Sequence, residues 1–161
     1  MTFAEIVRQK LADWRPPEDG RHTLNIPDER SGWALLVTAD RRDDLGCLLW
    51  EVVLQRAPST AWPKANLTTW ARQAAERVRG LLEPLQVVEI DLLRNEALLR
   101  SDKPDQSGEK LAYQEVLMQG THRATLCRYQ ASRQEGRREQ IPFALTHEAL
   151  AKVASELAGS L

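Results

Sequence analysis

The chain has 161 residues, of which 42% are hydrophobic and 28% charged, with a net charge of −1 and a pI near 6.3. That composition belongs to a folded domain and excludes a disordered or fibrous chain. With so small a net charge there is no global field to draw in phosphate backbones or anionic lipid, which argues against a dedicated nucleic-acid or membrane binder.

Such a length fits one domain spanning 1–161, since a chain of this size buries roughly 70% of its unfolded surface. Cys47 and Cys127 are the only cysteines and lie far apart, so there is neither a CxxC spacing nor a disulfide framework; two buried free thiols are expected. The segment Met1–Glu5 lacks a basic region followed by an apolar stretch, and no run approaches the ~18 apolar residues of a membrane span. A cytoplasmic location is therefore expected. Arginine outnumbers lysine heavily, a composition met in GC-rich bacterial genomes.

In chain order, Thr2 and Glu5 have capping-box spacing, and Phe3, Ile6, Val7, Leu11 and Trp14 fall on one helical stripe. A helix is predicted over 3–14, stopped by Pro16-Pro17. Residues 16–32 read as a loop with a short strand at Thr23 to Ile26. Trp33 to Thr38 and Gly46 to Gln55 read as a hairpin around the polar turn Asp40 to Asp44. Ala57 to Lys64 forms a proline-bearing connection to a second helix, capped by Asn66 or Thr68, with Trp70, Ala74, Val78, Leu81 and Leu82 as its buried stripe and Pro84 as its end. Strands follow at about 87–93 and 97–100, with a turn at 94–96. A polar, flexible loop is expected over 101–110. Strands near 112–119 and 122–130 join at Gly120, a second flexible loop covers 131–138, and Gln140 to Phe143 adds a short edge strand. The last helix starts at Thr146 as N-cap, with Leu145 and Leu150 at staple spacing and Glu148 in its first turn, and it closes at Gly159.

Glu51, Glu89 and Glu115 each interrupt an apolar strand-like run. A carboxylate so placed faces water on an open sheet face, pairs with a cation across the sheet, or is a perturbed acid at a site. Arg100, Arg123 and Arg128 are the cations on hand, and cross-strand pairing is the expected role. His22, His122 and His147 are not spaced as metal ligands, and none of the GxSxG, GxGxxG, GxxxxGK[ST] or HExxH patterns occurs. No catalytic residue, metal ligand or cofactor site is assigned, and enzymatic activity is not expected. Arg123, Arg128, Arg133, Arg137 and Arg138 face only Glu135 and Glu139 over 121–140, a local excess that sustains a weak nucleic-acid reading. Trp14, Trp33, Trp50 and Trp70 fit a core, whereas Trp62 sits in the proline-flanked connection and suits a contact with another chain.

The expected fold is α+β: an antiparallel sheet of about five to eight strands packed by three helices, in the order α-βββ-α-βββββ-α. That order is similar to small bacterial secretion-chaperone-like folds, in element order only and with more strands than that pattern needs. The resemblance implies binding of a partner protein and, often, dimerisation. The expected function is thus a non-enzymatic protein-binding module, chaperone- or adaptor-like and a possible homodimer, with Trp62, Glu51, Glu89, Glu115, Arg123 and Arg128 as candidate partner-binding residues. The alternative is a small-ligand binder or enzyme using the sheet-face carboxylates.

Overall fold

The first helix begins as its capping box dictates: Glu5 N donates to Thr2 Oγ1 at 3.2 Å and Thr2 N donates to Glu5 Oε2 at 3.0 Å. A computed structural model describes residues 1–18, 20–58, 65–101, 105–132, 134 and 136–161. Its elements are α1 (Phe3–Asp13), β1 (His22–Pro27), β2 (Ala34–Arg42), β3 (Gly46–Gln55), α2 (Ala65–Arg77), β4 (Leu85–Asp91), β5 (Glu96–Ser101), β6 (Asp105–Ser107), β7 (Lys110–Gln119), β8 (Arg123–Ser132), β9 (Arg138–Ile141), β10 (Phe143–Thr146) and α3 (His147–Ala158). The α+β class and the alternation of helices with blocks of strands are those the sequence implies.

All ten strands among the described residues belong to one antiparallel sheet with the path β1-β2-β3-β8-β7-β5-β4, onto which β6, β9 and β10 pair. The sheet exceeds the expected five to eight strands because β6 adds to it and the single edge strand expected over Gln140 to Phe143 is two, β9 and β10, on either side of Pro142. β6 folds back on the start of β7 across Gly108 (φ 63°), so the stretch expected as a flexible loop over 101–110 contains paired backbone. β9 and β10 fill a fork. β3 pairs with β8 only over Val52–Gln55, and beyond that point β9 lies on β8 while β10 lies on β3, with Pro142 between them. Gln140 Nε2 bridges the fork, donating to Trp50 O at 2.9 Å and lying 3.4 Å from Cys127 Sγ.

Strand register separates the side chains by face. Leu35, Val37, Leu49, Val52, Leu54, Leu99, Val116, Met118 and Leu126 fall on one side and form a single core with Val7 and Leu11 of α1, Leu67 and Trp70 of α2, and Leu150, Val153 and Leu157 of α3. Val53 and Cys127 point the other way and, though buried, stand outside that core. Among the described residues every helix lies on the first face, so the second carries no helix. Trp70 locks the helical layer: fully buried, it packs 5.8 Å from Trp33 and donates its indole N–H to Leu157 O at 2.9 Å.

Two extra residues, Asp40 in β2 and Trp50 in β3, interrupt the β2–β3 ladder in opposite strands, so alternation resumes correctly on both sides. Arg21 clasps the pair, bonding Asp40 Oδ1 at 2.7 Å with its guanidinium 3.8 Å over the Trp50 ring.

The second helix differs from its sequence reading. It ends at Arg77, and Leu82, expected in its buried stripe, is fully exposed. Asn66 and Thr68 lie within the helix instead of capping it, and the residues before Ala65 are outside those described. The early end has a cause in α3. The Glu156 carboxylate accepts the N–H groups of Arg79 and Gly80 at 2.9–3.1 Å, which draws the chain out of helical continuation, and a Cβ on Gly80 would stand 2.6 Å from Val153 Cγ2.

At the start of α3, His147 is buried with Nε2 unpartnered among the described residues, and its backbone N–H donates to Leu45 O at 2.9 Å. Burial and then the nearby Arg42 hold the imidazole pKa below its ordinary value of 6.5, more than Asp43 and Asp44 raise it. The unfolded chain therefore takes up this proton more readily. The stability contributed by neutral His147 is complete above pH 6.5 and is lost as pH falls from there through the lower folded value. Urea midpoints between pH 8 and 5 should fall less steeply for His147→Gln than for the wild type; parallel curves would contradict this coupling.

Candidate functional site

Three central strands build the most organised cluster on the helix-free face. Register sets Arg100 of β5 opposite Glu115 of β7, Glu115 opposite Cys127 of β8, and Tyr113 opposite Tyr129. Arg138, on β9 opposite Ala131, reaches the same place from the far side. Glu115 Oε2 accepts Nε of Arg100 at 2.9 Å and Nη1 of Arg138 at 2.6 Å. The carboxylate side chain is 7% exposed, whereas the two arginines keep 38% and 40% of theirs. Both guanidiniums also lie on aromatic rings, Arg138 3.9 Å from the centroid of Tyr129 and Arg100 5.3 Å from that of Tyr113, while the tyrosines stand 6.2 Å apart at 36°.

Each feature follows from the sequence pattern. β7 and β8 pair without interruption from Lys110↔Ser132 to Gln119↔Arg123, so apolar Val116, Met118, Ala124 and Leu126 go under the helices and the intervening residues face out. A mid-strand Glu on that face is stable because two cations satisfy it at the rim of a desolvated patch. Two cations against one anion leave one positive charge. Apart from Nε of Arg100 and Nη1 of Arg138, the guanidinium nitrogens make no hydrogen bond among the described residues. The bond to Glu115, first, and Tyr113 raise the pKa of Arg138 further. Burial raises those of Tyr129 and, to about 11, Cys127, the latter helped by Glu51 and Glu115 on either side. Cys127 is thus a poor nucleophile near neutral pH.

The remaining sequence candidates scatter. Glu51 is on the helix-free face beside Cys127 and makes no ion pair among the described residues. Arg123 is on that face at the opposite end of β8, with a buried Nε that has no acceptor among the described residues. Glu89 also shares the face, but it is exposed on the edge strand β4, where Val88 is an extra residue in the ladder. Arg128 faces the helices and pairs with Glu83 at 3.1 Å, in a network where Ser101 Oγ donates to the same carboxylate at 2.5 Å. Trp62 lies outside the described residues. Arg138 and the two tyrosines were missed as site residues. The signal for the tyrosines was the alternation Tyr113-x-Glu115 against Cys127-x-Tyr129, readable only with the β7–β8 register in hand, and Arg138 had none.

The basic run divides as well: Arg123 and Arg138 are on one face, Arg128 is on the other, and Arg137 is exposed beyond β8. No group of His, Cys, Asp and Glu among the described residues is placed to hold a metal ion. Nor is any helix among them long and apolar enough to cross a membrane. Comparisons with protein-family models, with curated proteins and with solved structures find no match for the chain.

Removing the shared acceptor sets two guanidiniums against each other. Glu115→Ala should cost about 1–3 kcal/mol, at the lower end because water reaches both arginines, and Glu115→Gln, which keeps an acceptor oxygen, should cost less. Urea midpoints at constant m-value check the ranking; unchanged stability in Glu115→Ala would show that the bonds contribute nothing net.

Proposed function

We propose that the chain is a non-enzymatic, cytoplasmic protein-binding module that receives a second polypeptide on the helix-free face of its sheet. The observation carrying this reading is the Arg100–Glu115–Arg138 cluster on Tyr113 and Tyr129. Arginine and tyrosine are enriched among the residues that dominate interface energetics, and here their side chains are held in place before any partner arrives, which lowers the entropy cost of binding. The surplus positive charge suits a partner that brings a carboxylate beside apolar side chains.

Two further observations support parts of the reading. Both cysteines are buried free thiols, in keeping with a reducing compartment. Leu82, Val88, Leu92 and Leu93 are exposed around the open edge at β4, which suits a homodimer. The carboxylate-ligand alternative is less well supported: Glu115 Oε2 is already taken by two N–H donors, and β5 lies between Glu89 and Glu115.

Native mass spectrometry of the protein purified from its own host tests the proposal. A dimer or a retained polypeptide is expected, with the retained polypeptide lost from the double variant Tyr113→Ala/Tyr129→Ala. A monomer without polypeptide would overturn it, and a small-mass adduct lost from the same double variant would put a ligand site on the arginine–tyrosine cluster instead.

A further inference from the structure

At the far end of β3, away from the arginine–tyrosine cluster, the sheet forms a groove of about 500 Å³, within the range of small-molecule sites. Leu48 and Ala144, paired across the β3–β10 ladder, and Leu45 supply its apolar lining. Leu45 is 72% exposed, a large apolar side chain that the core does not use. Gly46 closes one side. A Cβ there would come within 2.6 Å of Leu145 O, so only glycine lets β10 lie this close to β3.

Charges at the groove are unequally committed. Arg42 donates to the carbonyls of Leu11 and Ala12 at 3.1 and 2.8 Å and to Asp44 at 3.2 Å, which ties it to the end of α1. Asp43 Oδ1 accepts the amides of Leu45 and Gly46, both at 2.8 Å. Arg41, the third charged lining residue, is exposed and has no hydrogen bond or ion pair among the described residues. The groove also ends at Thr146, where α3 begins with its positive dipole end. The lining is thus an apolar trough with one uncommitted cation beside it.

From this geometry we infer a second site, at the far end of the same helix-free face and apart from the arginine–tyrosine cluster, for a small amphipathic carboxylate: its alkyl chain lies along Leu45, Leu48 and Ala144, and its head group meets Arg41. Apolar burial supplies most of the affinity, and the single charge contact supplies the preference for an acid over a neutral chain of equal length. Buried Cys47, whose thiol burial pushes up to about 11, lines the groove as an apolar surface with no nucleophilic role.

Octanoate, 1-octanol and acetate are the probes, titrated into the ¹⁵N-labelled full chain and read by amide chemical shifts. Octanoate should shift amides over 41–48 and 144–146, 1-octanol should bind more weakly, and acetate should leave those amides unmoved. Arg41→Gln should weaken octanoate at least about tenfold, and Ala144→Trp, an exposed strand position that tolerates an aromatic side chain, should abolish the shifts. The inference is overturned if octanoate moves no amide in these segments, if 1-octanol binds as tightly, or if octanoate binding survives Ala144→Trp in a protein with an unchanged spectrum elsewhere.

Discussion

The unbroken pairing of β7 with β8 over ten residues is the constraint on which the rest of the molecule depends. Because side chains alternate, this one register sends Val116, Met118, Ala124 and Leu126 to the helices and Tyr113, Glu115, Cys127 and Tyr129 to the other side. A slip of one residue would bury a carboxylate and two phenols under α2 and α3 and expose the centre of the core. Apolar burial on one face therefore holds the polar arrangement on the other, and the Arg100–Glu115–Arg138 contacts are set by packing they do not touch.

Irregularities at the margins of this frame are compensated locally. Paired extra residues in β2 and β3 are clasped by Arg21, and the divergence of β3 from β8 is filled by β9 and β10 and bridged by Gln140. Glu156 ends α2 by taking two of the amides that follow Val78. In each case a polar side chain from elsewhere meets backbone or charge that the break would leave unsatisfied, as a desolvated polar group requires. The structure thus keeps one continuous sheet despite a fork, with its helices confined to one side.

Local signals made the helices at the two termini and the long strands legible in the sequence. The capping box at Thr2, the N-cap at Thr146 and the alternation in β7 and β8 each involve residues within a few positions of one another. What escaped depends on partners far along the chain. Leu82 has the spacing of a helix stripe and is exposed because Glu156, from another helix, redirects the backbone before it. β6 and β10 are short segments that pair only because a longer strand is already in place. At the site, the mid-strand position of Glu115 and the expectation of a cross-strand cation for it were readable from pattern, whereas which arginine meets it was not, and Arg138 approaches from a strand whose register no local spacing fixes.

Whether the helix-free face is a binding surface is tested most directly by site-specific photo-crosslinking in the host cell. A benzophenone amino acid replaces Tyr113 on that face in one protein and Arg72, exposed on α2, in another. Crosslinks to a defined polypeptide from position 113 and none from position 72 are expected. Crosslinks from position 72 alone, or none from 113 in a protein that folds normally, would contradict a binding role for this face.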